Sequence, residues 1–598
     1  MVKRLIACLI VIVILMLVLP TLFAQEGGPP PPPPPPPVFS DEHEAPPGQD
    51  SEPPPPPPAD ETDDMNTPGP PMEAPVPDAA APTEEMPGID ITAPPMEIIP
   101  IVPTGPGINW TMFKCDTAHT GYTSERLNYP LKLAWKYIAE MSPNNPSSPA
   151  VADGIVYFCS GRRLYAVGAE TGALKWQYPV EESLTAIIKS SPLVGDELVY
   201  FGGGDGKLYA VTKDTGNLAW SFVTKGSIKS SPVLSDGVVY VGSTDDSLYA
   251  IDAYTGEPKW PGGFRTRDDV SCSPAVAGGL VYFLSSDMLF YSANASTGKI
   301  KWSDRVGATS ASSSPVISEN TVYIAVGNVL QARQAKSGRL KFSIPFSSDI
   351  TTVPSAANGA VYFGCKNGKL YALTNAGKLK WVEPVNLGAP IYGSPVIAGD
   401  TVIVGASKGV LAAVDAENGQ LKWKYTVLPS MLEQGKLKYV SIAASPVVSN
   451  GTLYVLADDG ALHAFRYDMP DTTPPQASTV VPNRDSLIPG APPIEIAAII
   501  ADPGSGIDTN TISMLLDDQA VEYKLIPERG VVWYKTPVTQ PIVPLDDGLH
   551  TVTLSVSDWA GNRLETKWCF TVDNRIRRAP KPAAQTGGTN APGMVPGT

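Results

Sequence analysis

The chain has 598 residues, 64 of them proline, and a formal net charge of −16 at pH 7. Residues 25–104 carry 16 of the 60 acidic residues and no lysine or arginine, so the remaining acids equal the 44 lysines and arginines. This balance excludes an extended basic surface for nucleic acid, and the length allows several domains with large cores.

Residues 1–24 are typical of an export signal. Lys3 and Arg4 precede the apolar run "LIACLIVIVILMLVL", and Ala24 is a small residue before a suitable cleavage point. The run is also long enough for an uncleaved membrane anchor, and both alternatives stay open. We therefore expect an extracytoplasmic protein of the periplasm, cell envelope or cell surface, with or without attachment to the membrane through its N-terminus.

Residues 25–107 are predicted to be a disordered, acidic, proline-rich linker. Poly-proline such as "PPPPPPPPP" favours an extended chain, and like charges extend it further. A segment of this composition buries too little apolar surface to fold. It is either a stalk that holds a domain away from a membrane or a passive linker. Residues 575–598 are likewise predicted to be a disordered tail.

A Ser-Pro pair followed by apolar residues marks a repeat in residues 108–468. Each mark leads into a β-rich run such as "GVVYVG", a polar turn, and a segment such as "LYA". Four short strands in a period of about 40 residues are typical of β-propeller blades. The eight prolines of the marks and of one variant are Pro149, Pro192, Pro232, Pro274, Pro315, Pro354, Pro395 and Pro446.

Each repeat ends on an aromatic residue, and the first of these precedes the first Ser-Pro mark. A closed ring explains this phase difference, because the strand "LKLAWKY" would complete the blade that begins at Pro446. The sequence therefore predicts an all-β protein with an eight-bladed propeller over residues 108–468. The eight aromatics, which we expect to dock blade against blade, are Trp135, Trp176, Trp220, Trp260, Trp302, Phe342, Trp381 and Trp423.

The segment "LYAIDAYTGEPKW", residues 248–260, contains the most complete copy of this ending. Its Thr-Gly pair is typical of a hairpin turn, because glycine tolerates a positive φ. Asp252 is acidic here, but most of the corresponding positions in the other repeats are uncharged. A repeated metal or catalytic carboxylate would need its charge in every copy. We therefore interpret the repeat as architecture.

The pattern A-x-D-x-x-T-G-x-x-x-W, formed here by Ala250, Asp252, Thr255, Gly256 and Trp260, resembles the PQQ-enzyme repeat of eight-bladed, quinoprotein-like propellers. The resemblance covers residues 108–468 and implies the fold. It implies much less about activity. Propellers of this group include quinone-dependent dehydrogenases and BamB-type outer-membrane assembly proteins.

A second module is predicted over residues 474–574. Short alternating strands separated by Gly, Asp and Asn turns indicate an antiparallel β-sandwich. The module resembles a bacterial immunoglobulin-like domain. Asp502, Asp508 and Asp558 have the oxygen ligands that calcium takes, but acids at such positions also form turns, and the sequence predicts no metal site.

Residues for catalysis are hard to find in this sequence. Quinone-dependent dehydrogenases carry an adjacent cysteine pair and long insertions, whereas the cysteines here are never adjacent and the repeats are short. The four histidines lie in four different segments: the proline-rich linker, the segment before the repeats, the last blade and the sandwich. This distribution predicts neither a set of metal ligands nor a catalytic triad. We therefore predict no catalytic, cofactor-binding or metal-binding residue, no cofactor, and no bound pyrroloquinoline quinone.

Two features are candidate interaction surfaces. Lys189 and Lys229 stand three residues before the prolines of adjacent marks, so they are expected at one mouth of the propeller channel, where they could bind an anion or an acidic partner or be merely solvated. The loop in the longest repeat gap carries Leu428, Met431 and Leu432. It either contacts a partner or folds back on its own blade.

The function that we predict is an exported, non-enzymatic scaffold of the cell envelope that binds other envelope proteins, as the BamB-type resemblance implies. A PQQ-dependent oxidoreductase is one alternative. Cell-surface adhesion or glycan binding through propeller and sandwich together is the other.

Overall fold

A computed structural model describes residues 109–141, 147–307, 313–428, 430–431, 437–438 and 440–576. The predicted export signal, the acidic linker and nearly all of the predicted tail lie outside these residues. The described residues belong to one compact unit, which spans Met96–Thr598. No helix in the described ranges is long and apolar enough to cross a bilayer. These residues are almost all β, with two short 3-10 helices, Ser407–Gly409 and Pro527–Arg529.

The repeats fold into successive four-stranded antiparallel sheets whose strands follow chain order from the inside outward. The inner strand begins directly after the Ser-Pro mark, and the two middle strands are almost fully buried. Two strands precede the repeats, β1 (Tyr122–Thr123) and β2 (Lys132–Ile138). The first four sheets are β3 (Ala150–Ala152), β4 (Ile155–Ser160), β5 (Arg163–Gly168) and β6 (Leu174–Tyr178); β7 (Leu193–Val194), β8 (Leu198–Gly202), β9 (Lys207–Thr212) and β10 (Leu218–Val223); β11 (Val233–Ser235), β12 (Val238–Ser243), β13 (Ser247–Asp252) and β14 (Phe264–Arg265); β15 (Ala275–Ala277), β16 (Leu280–Leu284), β17 (Leu289–Asn294) and β18 (Ile300–Arg305).

The later sheets follow the same plan. In one of them β1 adds a parallel strand beside the inner strand β27. These sheets and a hairpin between the last two are β19 (Val316–Ser318), β20 (Thr321–Val326), β21 (Val329–Gln334) and β22 (Leu340–Pro345); β23 (Ser355–Ala357), β24 (Ala360–Gly364), β25 (Lys369–Thr374) and β26 (Val385–Asn386); β27 (Val396–Ala398), β28 (Thr401–Gly405), β29 (Val410–Asp415) and β30 (Leu421–Thr426); the hairpin β31 (Ser430–Met431) and β32 (Leu437–Lys438); and β33 (Val447–Ser449), β34 (Thr452–Leu456) and β35 (Ala461–Arg466).

The last sheet is completed from the other end of the repeat region. Strand β2 pairs antiparallel with β35, with Trp135 opposite Ala464, and forms the outer strand of the sheet β2-β35-β34-β33. The predicted closure by "LKLAWKY" is therefore confirmed. Pairing β2 with β35 covers an edge that would otherwise expose unpaired N–H and C=O groups.

The outer strand is interrupted in two sheets. Trp260 and Trp381 lie outside regular strands, and the outer strands β14 and β26 begin only after them and have two residues each. Pro261 and Pro384 follow these aromatics, and proline cannot donate to a strand ladder. The repeat therefore preserves the aromatic side chain in copies where the strand itself is broken.

Residues 476–572 form two further sheets, in the orders β36-β38-β42-β41 and β37-β44-β43-β39-β40. Buried side chains of both sheets share one core, including Ile496 and Val532 from the first and Leu554 and Phe570 from the second. The module is a two-layer β-sandwich, and its immunoglobulin-like kinship remains a prediction. Its strands are β36 (Gln476–Val481), β37 (Ser486–Ile488), β38 (Glu495–Ala501), β39 (Ile507–Leu516), β40 (Gln519–Ala520), β41 (Lys524–Ile526), β42 (Val531–Lys535), β43 (Gly548–Asp558) and β44 (Arg563–Val572).

Candidate functional site: the central cavity of the propeller

The inner strands and the loops before them surround a central cavity of about 830 Å³. Lys189 and Lys229 both line it, as do Lys366 and, among the described residues, a single acid, Asp349. Lys366 comes from the turn between β24 and β25, away from any Ser-Pro mark, so the spacing that singled out the first two lysines could not reveal it. Three cations from three sheets therefore share one cavity.

These lysines are available to a partner. All three are exposed, and in the described ranges no carboxylate lies within 4.0 Å of their Nζ atoms. Asp269 interacts with Lys229 at longer range. Burial raises the pKa of Asp269, and the positive charge of Lys229 opposes that rise. The three lysines can therefore attract anionic groups, while Asp245, Asp246 and Asp268 add negative charge around Asp269 beside Lys229.

A ladder of hydrogen bonds between serines of the Ser-Pro marks forms part of the cavity wall. The backbone N–H of each serine donates to the hydroxyl of the serine in the next sheet. The sequence marks these serines as strand starts, but their role in joining neighbouring inner strands becomes visible only in the fold. The bonds are Ser148 N to Ser191 Oγ at 2.9 Å, Ser191 N to Ser231 Oγ at 2.9 Å, Ser231 N to Ser273 Oγ at 2.9 Å and Ser273 N to Ser314 Oγ at 3.0 Å.

The segment before the repeats, residues 110–121, which we call the leader, covers the opposite end of the cavity. Its backbone follows the inner strands of successive sheets, and its carbonyl groups accept hydrogen bonds from them. Phe113 of this segment lines the cavity from that side. The donor and acceptor pairs are Val194 N to Thr111 O, Val276 N to Thr117 O, Ile317 N to Ala118 O, Ala356 N to Thr120 O and Ile397 N to Gly121 O.

Two buried polar side chains fix this leader. Lys114 donates from Nζ to Pro395 O at 2.8 Å and contacts Ser355 Oγ. Burial lowers the pKa of Lys114 to about 7, opposed by the carboxylate of Asp116. His119 is also buried and packs edge-on against Phe113, with ring centroids 5.3 Å apart. Its pKa is lowered to about 3, mainly by burial, so the leader is held by neutral imidazole.

The thiol that lines the cavity is not poised for nucleophilic attack. Cys272 is buried, donates from Sγ to Leu284 O at 3.1 Å, and accepts from Leu284 N at 3.0 Å. Burial raises the pKa of Cys272 to about 12, so the thiol stays protonated. The five cysteines among the described residues form no disulfide bond with one another.

Seven of the eight repeat aromatics pack against a glycine in the next sheet. Gly256 shows why that position is glycine: its φ is +76°, and a Cβ there would lie 2.7 Å from Cδ2 of Trp220. Trp220 Nε1 and the hydroxyl of Tyr200 both donate to Ala253 O in that same neighbouring sheet, at 3.2 and 3.0 Å. The pairs are Trp135–Gly172, Trp176–Gly216, Trp220–Gly256, Trp260–Gly298, Trp302–Gly338, Phe342–Gly377 and Trp381–Gly419.

Trp423 has a different partner. After β35 the chain continues into residues 467–475, the linker to the sandwich, and forms no Thr-Gly hairpin, so the last sheet offers no matching glycine. Trp423 is fully buried and donates from Nε1 to Ser505 O of the sandwich at 2.9 Å. The eighth aromatic therefore joins the propeller to the sandwich.

The predicted apolar loop lies partly outside the described residues. Leu428 is exposed and, with Ile500 and Gly530 of the sandwich, lines a small cavity of about 40 Å³. Met431 lies in the hairpin β31–β32, and Leu432 is outside the described residues. The described start of the loop thus borders the sandwich, and its role as a partner surface stays a prediction.

The repeat region matches the family model described as "Outer membrane protein assembly factor BamB" three times, over residues 132–231, 223–325 and 305–482. The chain is 31% identical over 153 residues to the outer membrane protein assembly factor BamB of Moranella endobia, which covers 24% of this chain and 39% of that protein. It is 35% identical over 95 residues to the quinoprotein alcohol dehydrogenase PedH of Pseudomonas putida, which covers 15% of this chain and 16% of that enzyme.

Among solved structures, BamB from Moraxella catarrhalis is similar, with a TM-score of 0.45 and 19% identity, over 57% of this chain and 99% of that one. The chain spans less than half the length of the curated relatives it matches.

Proposed function

Because the chain belongs to the family described as outer membrane protein assembly factor BamB, we propose that it is an exported, non-enzymatic scaffold that binds other proteins of the cell envelope through the rim of its central cavity. The family match carries this proposal, since it spans residues 132–482 and includes all eight repeat marks. The successive sheets of the propeller form a scaffold that is suited to presenting loops to a partner.

The chemistry of the cavity supports binding over catalysis. Its lining combines exposed lysines with the serine ladder and a protonated thiol, and one end is covered by the leader. Lys189, Lys229 and Lys366 can attract acidic side chains or a C-terminal carboxylate of a partner. Such contacts mainly set recognition and the rate of association, which suits a scaffold that meets successive partners.

The similarity to quinoprotein alcohol dehydrogenases favours a second candidate, an oxidoreductase that uses pyrroloquinoline quinone. That similarity covers about one sixth of the enzyme. The cysteines of this chain are never adjacent, although quinone-dependent dehydrogenases carry an adjacent cysteine pair. The two candidates differ in what the cavity should bind, a protein group or a quinone.

Charge reversal at the rim tests the scaffold. The double variant Lys189→Glu and Lys229→Glu changes the cavity, whereas Lys299→Glu with Lys301→Glu makes the same charge change on exposed residues at and beside the outer strand β18. In cells that lack the wild-type chain, we expect the rim variant to lower the amount of assembled outer-membrane protein and the control to restore it.

A photo-crosslinking residue placed at position 229, with one at position 301 as control, identifies the contact directly. We expect cross-links to envelope proteins from position 229 and far fewer from 301. Normal outer-membrane protein levels in cells without the chain, together with no cross-link from position 229, would contradict the proposal.

A further inference from the structure

Three aspartates converge where the sandwich meets the propeller. Asp471 lies in the linker after β35, Asp502 directly follows β38, and Asp558 ends β43. One carboxylate oxygen of each lies within 4.8 Å of the other two. Asp502 and Asp558 are 8% and 2% exposed, and the side chain of Asp471 is 1% exposed. Negative charges held this close and shielded from water repel one another strongly.

One oxygen of this cluster is buried and has no hydrogen-bond partner among the described residues. Asp502 Oδ2 accepts from Gly506 N at 2.6 Å, whereas Asp502 Oδ1 accepts from no donor in that part of the chain. A buried carboxylate oxygen that has lost water and gained nothing is costly. This unsatisfied oxygen favours a cation as its partner.

The other two carboxylates are held in place by donors that leave room for a cation. Asp558 accepts from the backbone N and Nδ2 of Asn562, both at 2.8 Å. Asp471 accepts from Ser505 N at 2.7 Å and Thr473 Oγ1 at 2.8 Å. Each carboxylate oxygen has two lone pairs, so these bonds orient the groups without exhausting them.

Lys132 forms the one ion pair that the described residues make with the cluster, and it does not neutralise the three carboxylates. Lys132 Nζ lies 3.5 Å from Asp471 Oδ1, which is longer than a normal hydrogen bond between charged groups. Its single charge faces three carboxylates. Two formal negative charges therefore remain, which matches a divalent cation.

We propose that Asp471, Asp502 and Asp558 form a Ca²⁺ site at the junction between propeller and sandwich. The ligand atoms are all carboxylate oxygens, which are the ligands of hard cations, and the group contains neither histidine nor cysteine. Calcium accepts an irregular set of oxygens, whereas Mg²⁺ requires a nearly ideal octahedron. Asp508, which the sequence analysis considered together with Asp502 and Asp558, is not in this group and accepts from Asn510 N near the start of β39.

The site has a mechanical consequence, because its loop also contacts the propeller. Between Asp502 and Gly506, the carbonyl of Gly504 accepts from Leu133 N at 3.2 Å and that of Ser505 accepts from Trp423 Nε1 at 2.9 Å. A cation bound to Asp502 fixes this loop relative to the linker. Calcium then strengthens the attachment of the sandwich to the propeller.

Calcium titration of the chelator-treated full chain tests the site. Calorimetry and Tb³⁺ luminescence should report one ion per chain, with a Kd of roughly 0.1–1 mM, as in extracytoplasmic modules. Saturating Ca²⁺ should raise the melting temperature and slow proteolytic cleavage between propeller and sandwich. Absence of binding in the wild-type chain overturns the proposal, and binding that leaves cleavage unchanged overturns the attachment role.

Two matched variants locate the ion. Asp502→Asn keeps an oxygen for Gly506 N but removes the charge, so we expect the Kd to rise by roughly tenfold or more and the Ca²⁺-dependent melting shift to disappear. Asp508→Asn is the control and should leave both unchanged. If Asp502→Asn binds Ca²⁺ like the wild type, the assignment is wrong. Should Asp502→Asn fail to fold, Asp558→Asn is measured by the same criteria.

Discussion

The backbone N–H of Ser445 donates to Oγ of Ser148 at 3.0 Å, although the two residues are 297 positions apart in the sequence. Both serines are buried and both belong to Ser-Pro marks, one in the last repeat and one in the first. Together with the pairing of β2 and β35, this bond joins the ends of the repeat region at its inner and its outer side. Closure therefore does not depend on the outer strand alone.

Replacing Ser148 should weaken this inner contact. Ser148→Ala leaves the buried N–H of Ser445 without an acceptor, which costs about 1–3 kcal/mol of unfolding free energy. The bond from Ser148 N to Ser191 Oγ persists, because it uses the backbone. Urea titrations measure the loss, with Ser337→Ala on an exposed turn as control. Equal stability of the two variants would show that the serine bond at the seam is dispensable.

Acidification should weaken the outer side of the closure. His463 lies on β35 opposite Lys136 of β2, and its pKa is lowered to about 4, first by burial and then by Lys136. The unfolded chain takes up a proton near pH 6.5, whereas the folded chain does so only near pH 4. The contribution of His463 to stability is therefore complete above pH 6.5 and is lost as the pH falls toward 4.

The variant His463→Gln isolates this effect from other titrating groups. Between pH 6.5 and pH 5 the wild type should lose up to about 2 kcal/mol more unfolding free energy than the variant, since each pH unit contributes at most about 1.4 kcal/mol. Urea titrations at several pH values measure both slopes. Parallel curves for the two proteins would mean that His463 stays neutral, or is protonated, in both states.

The repeat pattern of the sequence predicts the structural features that recur in the chain, but it does not predict features that occur only once. The period predicted the sheets, and the offset of Trp135 from the first mark predicted the pairing of β2 with β35. The sequence predicts only part of the role of Gly256. The Thr-Gly pair predicts its turn, but the close approach of Trp220 comes from the neighbouring sheet and is not contained in the repeat pattern. The pattern describes a single repeat, whereas a contact between blades involves two repeats.

The unique features depend on contacts between segments that share no pattern. Trp423 matches the other aromatics in sequence, yet it binds Ser505 because the last sheet has no following hairpin. Lys366 joins the cavity from a middle turn, and Asp471 joins Asp502 from a linker. The spacing of residues along the chain does not predict such contacts, because they depend on how whole structural elements pack against one another.

Quinone chemistry should be absent. When the purified chain is incubated with pyrroloquinoline quinone and Ca²⁺, we expect no bound quinone absorbance and no dye-linked oxidation of alcohols or sugars. The cavity is lined by lysines and serines, and its one thiol is held protonated by burial. A quinoprotein alcohol dehydrogenase in the same assay is the positive control. A stoichiometric quinone complex with turnover would establish the oxidoreductase instead.

The segment "LYAIDAYTGEPKW" separates architecture from chemistry in a pair of variants. Trp260 is 5% exposed, packs over Gly298 and lies 5.5 Å from the ring of Tyr240. Trp260→Ala should cost about 3–5 kcal/mol of unfolding free energy, because it empties a site between two sheets. Thermal and urea unfolding measure this loss.

Asp252 is the matched test, because it is the one charged position of the A-x-D-x-x-T-G-x-x-x-W pattern. Its carboxylate accepts from the backbone N of Tyr254 and Thr255 and pairs with Lys259 at 2.7 Å. Asp252→Asn retains an oxygen for both turn bonds and loses only a half-exposed ion pair, which is worth less than about 1 kcal/mol. The cross-linking yield from position 229 should be unchanged. If Asp252→Asn instead abolished cross-linking while its melting curve matched the wild type, the repeat would contain a binding site and its acid would be functional.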